Sequence, residues 1–366
     1  MVLVEQIKLF VNDKYSSHFK IKMTKSVTIA VIVLMYIAAV AASCASKRSV
    51  NVGTWNLQPM SNPARYVLKR ILPDDLDLLV VQGIWDTETQ SILTADMKST
   101  YPYIQSTSIQ PVGAMSCSDE LKRYVLDLES CFMDKGIISY GNETYDSCKE
   151  ELELLYSYST SCAKCIVTQW NYLGDISECL GGSTVPEYRN EGRLGVVILS
   201  RYEITGLKTN FLESVGNRRG VITFTMCNSF KIAAVAMNYT EPLELFESDP
   251  YTFLDAAVEQ DPDIVLGDFG FGSNHRSYLM QYMKERDYYD AVIAVGRLSL
   301  YRGNYCPETS LPGCANETNK NLNHIFISKA TRNFKFISST DSYPVGFNNK
   351  IQVSSNVGLK CNIKTV

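Results

Sequence analysis

From Ser49 onward, short apolar runs alternate with stretches whose apolar positions recur at helical spacing. SVNVGTWNL reads as a strand, and DLDLLVVQGIW is a near-continuous apolar run, as expected of a strand covered on both faces. LGVVILSRYEI, VITFTMC, KIAAVAMNY, DIVLGDF, NHIFIS and VGLKCNI repeat that pattern. Between them, the stretch from Pro63 to Leu72 places Tyr66, Val67, Leu68 and Ile71 on a helix face. Tyr251 to Val258 and Ser277 to Glu285 also read as helices. Buried strands interleaved with helices predict a layered α/β architecture with both sheet faces covered.

One stretch, about 117–188, breaks the pattern. Leu121, Tyr124, Val125, Leu128, Cys131 and Phe132 follow helical spacing, and Leu152, Leu155 and Tyr158 mark a second helix leading into Cys162. Six cysteines fall here: Cys117, Cys131, Cys148, Cys162, Cys165 and Cys179. The stretch has too little core to stand unaided, so it reads as a disulfide-stapled helical insertion whose cysteines pair among themselves. Tyr156, Tyr158 and Tyr188 are expected to pack it. Fifteen pairings are open to six cysteines. Zinc at Cys162-x-x-Cys165 would need a second half-site that the sequence does not supply.

The N-terminal part adds a compartment. Val27 to Ala45 carries no charge and follows Lys20, Lys22 and Lys25. A basic flank, an apolar run and small residues at its end describe a secretory leader, with Met23 as an alternative start. The other reading is an uncleaved signal anchor. Residues 1–45 are thus leader, and 49–366 one domain. Ten of the eleven cysteines follow Ala45, and that even number fits a disulfide framework in an oxidising setting. Cys306 and Cys314 close a short loop with Pro307, Pro312 and Gly313 and are expected to bond to each other. Asn142, Asn238 and Asn316 begin glycosylation acceptor triplets.

Charge and histidine content narrow the chemistry. The formal net charge is -4 and no long basic run occurs, so no nucleic-acid partner is expected. Only His18, His275 and His324 are present, and His18 precedes the leader's apolar run. A mechanism built on two or more histidines is therefore strained.

Seven segments, in order, resemble the endonuclease/exonuclease/phosphatase superfamily, the fold of deoxyribonuclease I and neutral sphingomyelinase. Thr54–Leu57 (TWNL) is similar to the family's opening Asn motif, and DLLVVQGIWD to its "LQE" strand. GRLGVVILSRYEI resembles "GNGLAILSRYPI", VAMNYTEP stands at "NTHL", and DIVLGDFGFGS resembles "GDFN". LNHIFIS resembles "DHIFVS", and VSSNVGLKCNI the terminal "SDHYGL" strand. The resemblance implies a two-sheet, four-layer sandwich with the cysteine segment inserted. It also implies in-line phosphodiester hydrolysis, with a divalent metal neutralising developing charge and a histidine as general base.

Residue by residue, that machinery is depleted. Asn56 matches the opening Asn and Asp268 the "GDFN" Asp. Gly83 stands at the metal-binding Glu, Asn238 at the "NTHL" His, Gly270 at the second "GDFN" polar group and Asn323 at the "DHIF" Asp. Ser355 and Asn356 stand at the Asp and His of "SDH". These eight positions are expected to line one cleft with no working catalytic set and no cofactor. Asn56 and Asp268 are the two metal candidates. His324 reads as a strand-end residue, not a base.

Three functions remain open on the sequence. The first is an exported, inactive binding module with an extracellular partner of unknown identity. The second is a hydrolase with a rebuilt Mg²⁺ site using Asp268 with Asp86 or Glu88. The third is a structural extracellular protein. The membrane enters only through an uncleaved N-terminal segment.

Overall fold

The computed structural model describes residues 49–57, 72, 74–107, 113–135, 147–173, 176–180, 185–188, 190–214, 217–227, 229–237, 250–269, 276–291 and 323–329, with strands at 334–336, 341–342, 346–347, 351–352 and 359–365. In chain order these give β1 (Ser49–Asn56), β2 (Leu78–Gln82), α1 (Thr87–Met97), β3 (Tyr103–Ser106) and β4 (Ala114–Met115). The insertion follows with α2 (Lys122–Asp134), α3 (Lys149–Tyr158), α4 (Thr160–Leu173), the single turn α5 (Ser177–Leu180) and β5 (Val185–Pro186). Then come β6 (Val196–Ser200), β7 (Ile204–Leu212), β8 (Arg219–Met226), β9 (Phe230–Ala236) and α6 (Pro250–Val258). β10 (Ile264–Asp268), α7 (Arg276–Glu285), β11 (Tyr288–Asp290) and β12 (Asn323–Ser328) complete the second half. The C-terminal strands are β13 (Phe334–Phe336), β14 (Asp341–Ser342), β15 (Gly346–Phe347), β16 (Ile351–Gln352) and β17 (Leu359–Thr365).

Two sheets carry the domain, which lies within the compact unit Arg48–Val366. One has the order β13-β17-β1-β2-β6-β3 with β14 beside β17, and the other β11-β12-β10-β9-β8-β7. β2 and β6 are buried at every position, as their unbroken apolar runs require. On the first sheet, Trp55, Leu79, Val81, Val197 and Leu199 pack outward with Leu93 and Met97 of α1. On the second, Val221, Ala233, Val235, Val265 and Phe326 pack outward with Phe253 and Leu254 of α6 and Leu279 and Met283 of α7. This is the expected α/β sandwich with helices on both outer faces.

The insertion departs from its reading in detail. Helix α3 stops at Ser159, whose backbone turns extended (φ -158, ψ 104), and α4 starts afresh at Thr160. The periodicity through Tyr158 gave no sign of that break. Its six cysteines do pair internally, as Cys117–Cys162, Cys131–Cys148 and Cys165–Cys179. They stand in a separate apolar cluster with Val125, Leu128, Phe132, Leu152, Leu155 and Ile166. The even cysteine count does not translate into complete pairing: Cys361 in β17 is a buried free thiol, while Cys227 is disulfide-bonded to a residue outside the described ones. Of the tyrosines expected to pack the insertion, Tyr188 is buried but Tyr158 is exposed.

Register shows where the insertion leaves the sandwich. Ser106, at the end of β3, pairs with Val197, and Val196 pairs with Gln82. Gln82 in turn pairs with Asn56. The chain therefore departs and returns at the end of the sheet that carries Asn56. Lys164 of α4 reaches Glu213 at 2.6 Å, and the Arg218 guanidinium lies 4.6 Å from the Tyr188 ring and 4.5 Å from the Phe211 ring. Arg193, on the return path, donates to Gln90 Oε1 and Thr87 Oγ1 of α1, each at 3.0 Å.

Candidate functional site

Four strand ends meet where the two sheets face each other. Strand alternation assigns the faces. Trp55 and Val81 point outward, so the residues that follow them, Asn56 and Gln82, which pair in register, point between the sheets. Phe326 and Val265 point outward on the other sheet, so Asp268 and Asn323, a cross-strand pair, also point inward. All four side chains are buried.

The strand ends are joined directly. Asn56 Nδ2 donates a hydrogen bond to Asp268 Oδ2 across the sandwich. Gln82 Nε2 donates to Thr54 Oγ1 at 2.9 Å, one step back along the same face of β1. The β10 end needs a glycine before its aspartate. Gly267 has φ +143, and a Cβ there would run into the Val235 carbonyl. Gly83, at the position of the family's metal-binding Glu, has φ +83, a left-handed conformation that disfavours any side chain.

His324 is one residue from Asn323 and so lies on the opposite face of the sheet. It is fully buried, its Nδ1 stands 2.9 Å from Asp290 Oδ2, and it packs against Phe269 and Phe326. This dyad belongs to the outer layer and is not part of the inter-sheet cleft. Asp86 is likewise committed elsewhere. It caps α1, accepting from Thr89 N and Thr89 Oγ1 at 2.7 Å each. Glu88 is exposed in the first turn of the same helix.

Four of the eight expected cleft positions, Asn56, Gly83, Asp268 and Asn323, are brought to this end. Asn238, Gly270, Ser355 and Asn356 lie outside the described residues. So do Cys306, Cys314, the acceptor asparagines Asn142 and Asn316, His275 and the N-terminal apolar segment. The sequence reading passed over Thr54 and Gln82. Their signal was available: Thr54 lies two residues before Asn56 on the same strand face, and Gln82 immediately precedes the substituted Gly83.

The divalent metal implied by the resemblance does not fit these residues. Mg²⁺ takes oxygen donors and usually one or two carboxylates. Here Asp268, the one inward carboxylate among the described residues at these strand ends, already accepts from the Asn56 amide, so Asn56 presents its NH₂ toward the site. Gly83 supplies no ligand. The Gln82 carbonyl oxygen is buried with no donor among the described residues, but a neutral oxygen does not replace a missing carboxylate. Nor does any group of three or more His, Cys, Asp or Glu able to hold a metal occur among the described residues.

The profile of the Endonuclease/Exonuclease/phosphatase family matches residues 53–342. A solved endonuclease/exonuclease/phosphatase from Beutenbergia cavernae is 11% identical, with a TM-score of 0.46 over 87% of this chain and 72% of that one. Truncated Caenorhabditis elegans TDP2 is 10% identical, with a TM-score of 0.46 over 87% and 98%. Sphingomyelinase C from Streptomyces griseocarneus is 13% identical, with a TM-score of 0.44 over 87% and 100%. No curated protein sequence matches the chain. With seven motifs in order, two facing sheets and a family match across most of its length, the chain belongs to the endonuclease/exonuclease/phosphatase family.

Proposed function

We propose that this chain is an exported interaction module on a phosphodiesterase-type scaffold and does not hydrolyse phosphodiesters. The observation that carries the reading is the Asn56–Asp268 hydrogen bond. The two polar groups retained from the family's set are turned onto each other, and the position that matches the family's metal-binding Glu is Gly83, which has no side chain. Without a second carboxylate there is little to concentrate a divalent cation, and the one described histidine is held in the outer layer by Asp290. Loss of general-base assistance alone costs roughly 10²–10⁴-fold in rate, and loss of metal stabilisation costs more. Export is part of the proposal. The internal disulfides support it, since such bonds persist in oxidising compartments.

The rebuilt-site alternative would need Asp86 or Glu88 as a ligand; both Asp86 carboxylate oxygens are used in capping α1, and Glu88 is exposed in the first turn of that helix. The test is a metal-dependent diesterase assay on purified, disulfide-intact protein, with DNA, RNA, phosphoinositide and sphingomyelin substrates, beside a Mg²⁺ titration. The expected result is no metal-stimulated turnover and no saturable Mg²⁺ binding. Robust turnover that disappears on Asp268→Ala would overturn the reading.

A further inference from the structure

The acidity of this protein is concentrated in its insertion. From Cys117 to Tyr188 there are thirteen Asp and Glu against five Lys and Arg, a balance of -8, whereas the whole chain carries -4. Two of the five cations are matched within their own helices, Arg123 with Asp127 at 4.0 Å and Lys149 with Glu153 at 3.6 Å. Lys164 is matched by Glu213. The exposed carboxylates of Asp119, Glu120, Asp134 and Glu150 have no ion-pair partner among the described residues.

The same helices leave large apolar side chains in solvent. Four of the eight exposed large hydrophobics among the described residues are Leu126 (46%) and Met133 (69%) on α2 and Leu154 (45%) and Tyr158 (57%) on α3. Leu154 and Tyr158 are four residues apart, so they share a helix face. The Tyr158 ring meets Tyr124 of α2 at a centroid distance of 4.7 Å, which carries that face across to the second helix. Glu150 and Glu151 lie one turn before Leu154 on α3, and Asp127 lies one turn after Tyr124 on α2. An aromatic pair with an adjacent leucine is therefore rimmed by carboxylates.

We infer that this face of α2 and α3, centred on Tyr124, Tyr158 and Leu154, docks a basic protein segment carrying both Arg or Lys and apolar side chains. The inference rests on the reading of the chain as an interaction module and supplies its partner class. Tyrosine faces attract guanidinium and ammonium groups, and carboxylates give charge-assisted hydrogen bonds to the same cations. Exposed Tyr and Leu supply the apolar centre, while the acidic rim steers association. A balance of -8 also repels an anionic lipid surface.

The test measures binding of short peptides, equal in length, in which Arg and Leu content are varied independently, to the whole disulfide-intact protein. Saturable binding is expected only when both residue types are present. The double variant Leu154→Ala/Tyr158→Ala should weaken it about tenfold or more. Glu150→Gln/Glu151→Gln should lower the association rate and the salt dependence. Tyr278→Ala on α7, an equally exposed tyrosine outside the insertion, should leave binding unchanged. The inference falls if no peptide binds saturably, if affinity follows Arg content alone and ignores the Leu154/Tyr158 variant, or if the protein binds anionic vesicles instead. A positive diesterase assay with intact peptide binding would remove the inactive-scaffold reading but leave this surface in place.

Discussion

Asn56 and Asp268, 212 positions apart in sequence, are joined side chain to side chain and tie one sheet of the sandwich to the other. Both are buried, so neither can exchange this partner for water at low cost. Asn56→Ala should therefore leave a buried carboxylate short of a donor and destabilise the domain by about 2–3 kcal/mol. Asp268→Asn replaces the charge by an amide of the same shape and should cost less. Urea denaturation of both variants measures the difference. Equal losses would show that the Asp268 charge does not depend on Asn56.

At Gly83 the backbone itself opposes repair of the metal site. A residue with a side chain at φ +83 costs roughly 1–2 kcal/mol before any contact is counted. Gly83→Glu should thus lower the denaturation midpoint and recover no metal-stimulated hydrolysis. Adding His at Asn238 and Asn356 should restore partial activity at most, since Ser355 leaves the second histidine without an orienting carboxylate. A Gly83→Glu variant as stable as the parent, with saturable Mg²⁺ binding, would contradict this account.

Sheet identity and the cleft end were readable because buried strands write themselves as unbroken apolar runs, and because Asn56 and Asp268 close two such runs. What the residues do there was less readable. The left-handed turn at Gly83 and the Asn56–Asp268 bond depend on how two sheets meet, which no local pattern encodes. The break at Ser159 was hidden because Leu152, Leu155 and Tyr158 keep helical spacing up to it. Internal pairing of the six cysteines followed from the insertion's small core, but the partners depend on how α2, α3 and α4 pack. Cys361 resisted counting altogether, as parity says nothing about which thiol is enclosed by β17 and its neighbours.

His324 and Asp290 offer a clean separation of structure from site. Their 2.9 Å contact is fully enclosed on the outer face of the second sheet. Asp290→Ala should strip a buried polar partner from the imidazole and cost about 1–3 kcal/mol. It should leave peptide binding by the insertion unchanged, because the change lies under the outer layer and away from α2 and α3. Chemical denaturation and peptide titration on the same preparation measure both. A selective loss of binding with stability intact would assign the dyad a role that its placement does not suggest.

The last prediction concerns Cys361, a buried free thiol in β17. Burial, with a smaller contribution from the Asp290 charge, raises its thiol pKa far above the ordinary value of 9.0. The thiol is therefore neutral and enclosed in the folded protein, and a thiol-reactive probe should not label it near neutral pH. Labelling of Cys361 itself, read by peptide mapping, should appear only with unfolding, whereas the three insertion disulfides stay intact without reductant. The linkage sign follows from the raised pKa. The unfolded chain loses its proton first, so this group's contribution to stability is full below pH 9 and declines as pH rises through that value. The decline is limited to about 1.4 kcal/mol per pH unit for one group. Cys361→Val removes the titrating thiol at similar volume, so it should flatten part of the alkaline decline while leaving neutral-pH stability within about 1.5 kcal/mol. Denaturation midpoints from pH 7 to 10.5 on parent and variant decide it, and parallel curves would show that Cys361 does not contribute to the alkaline limb.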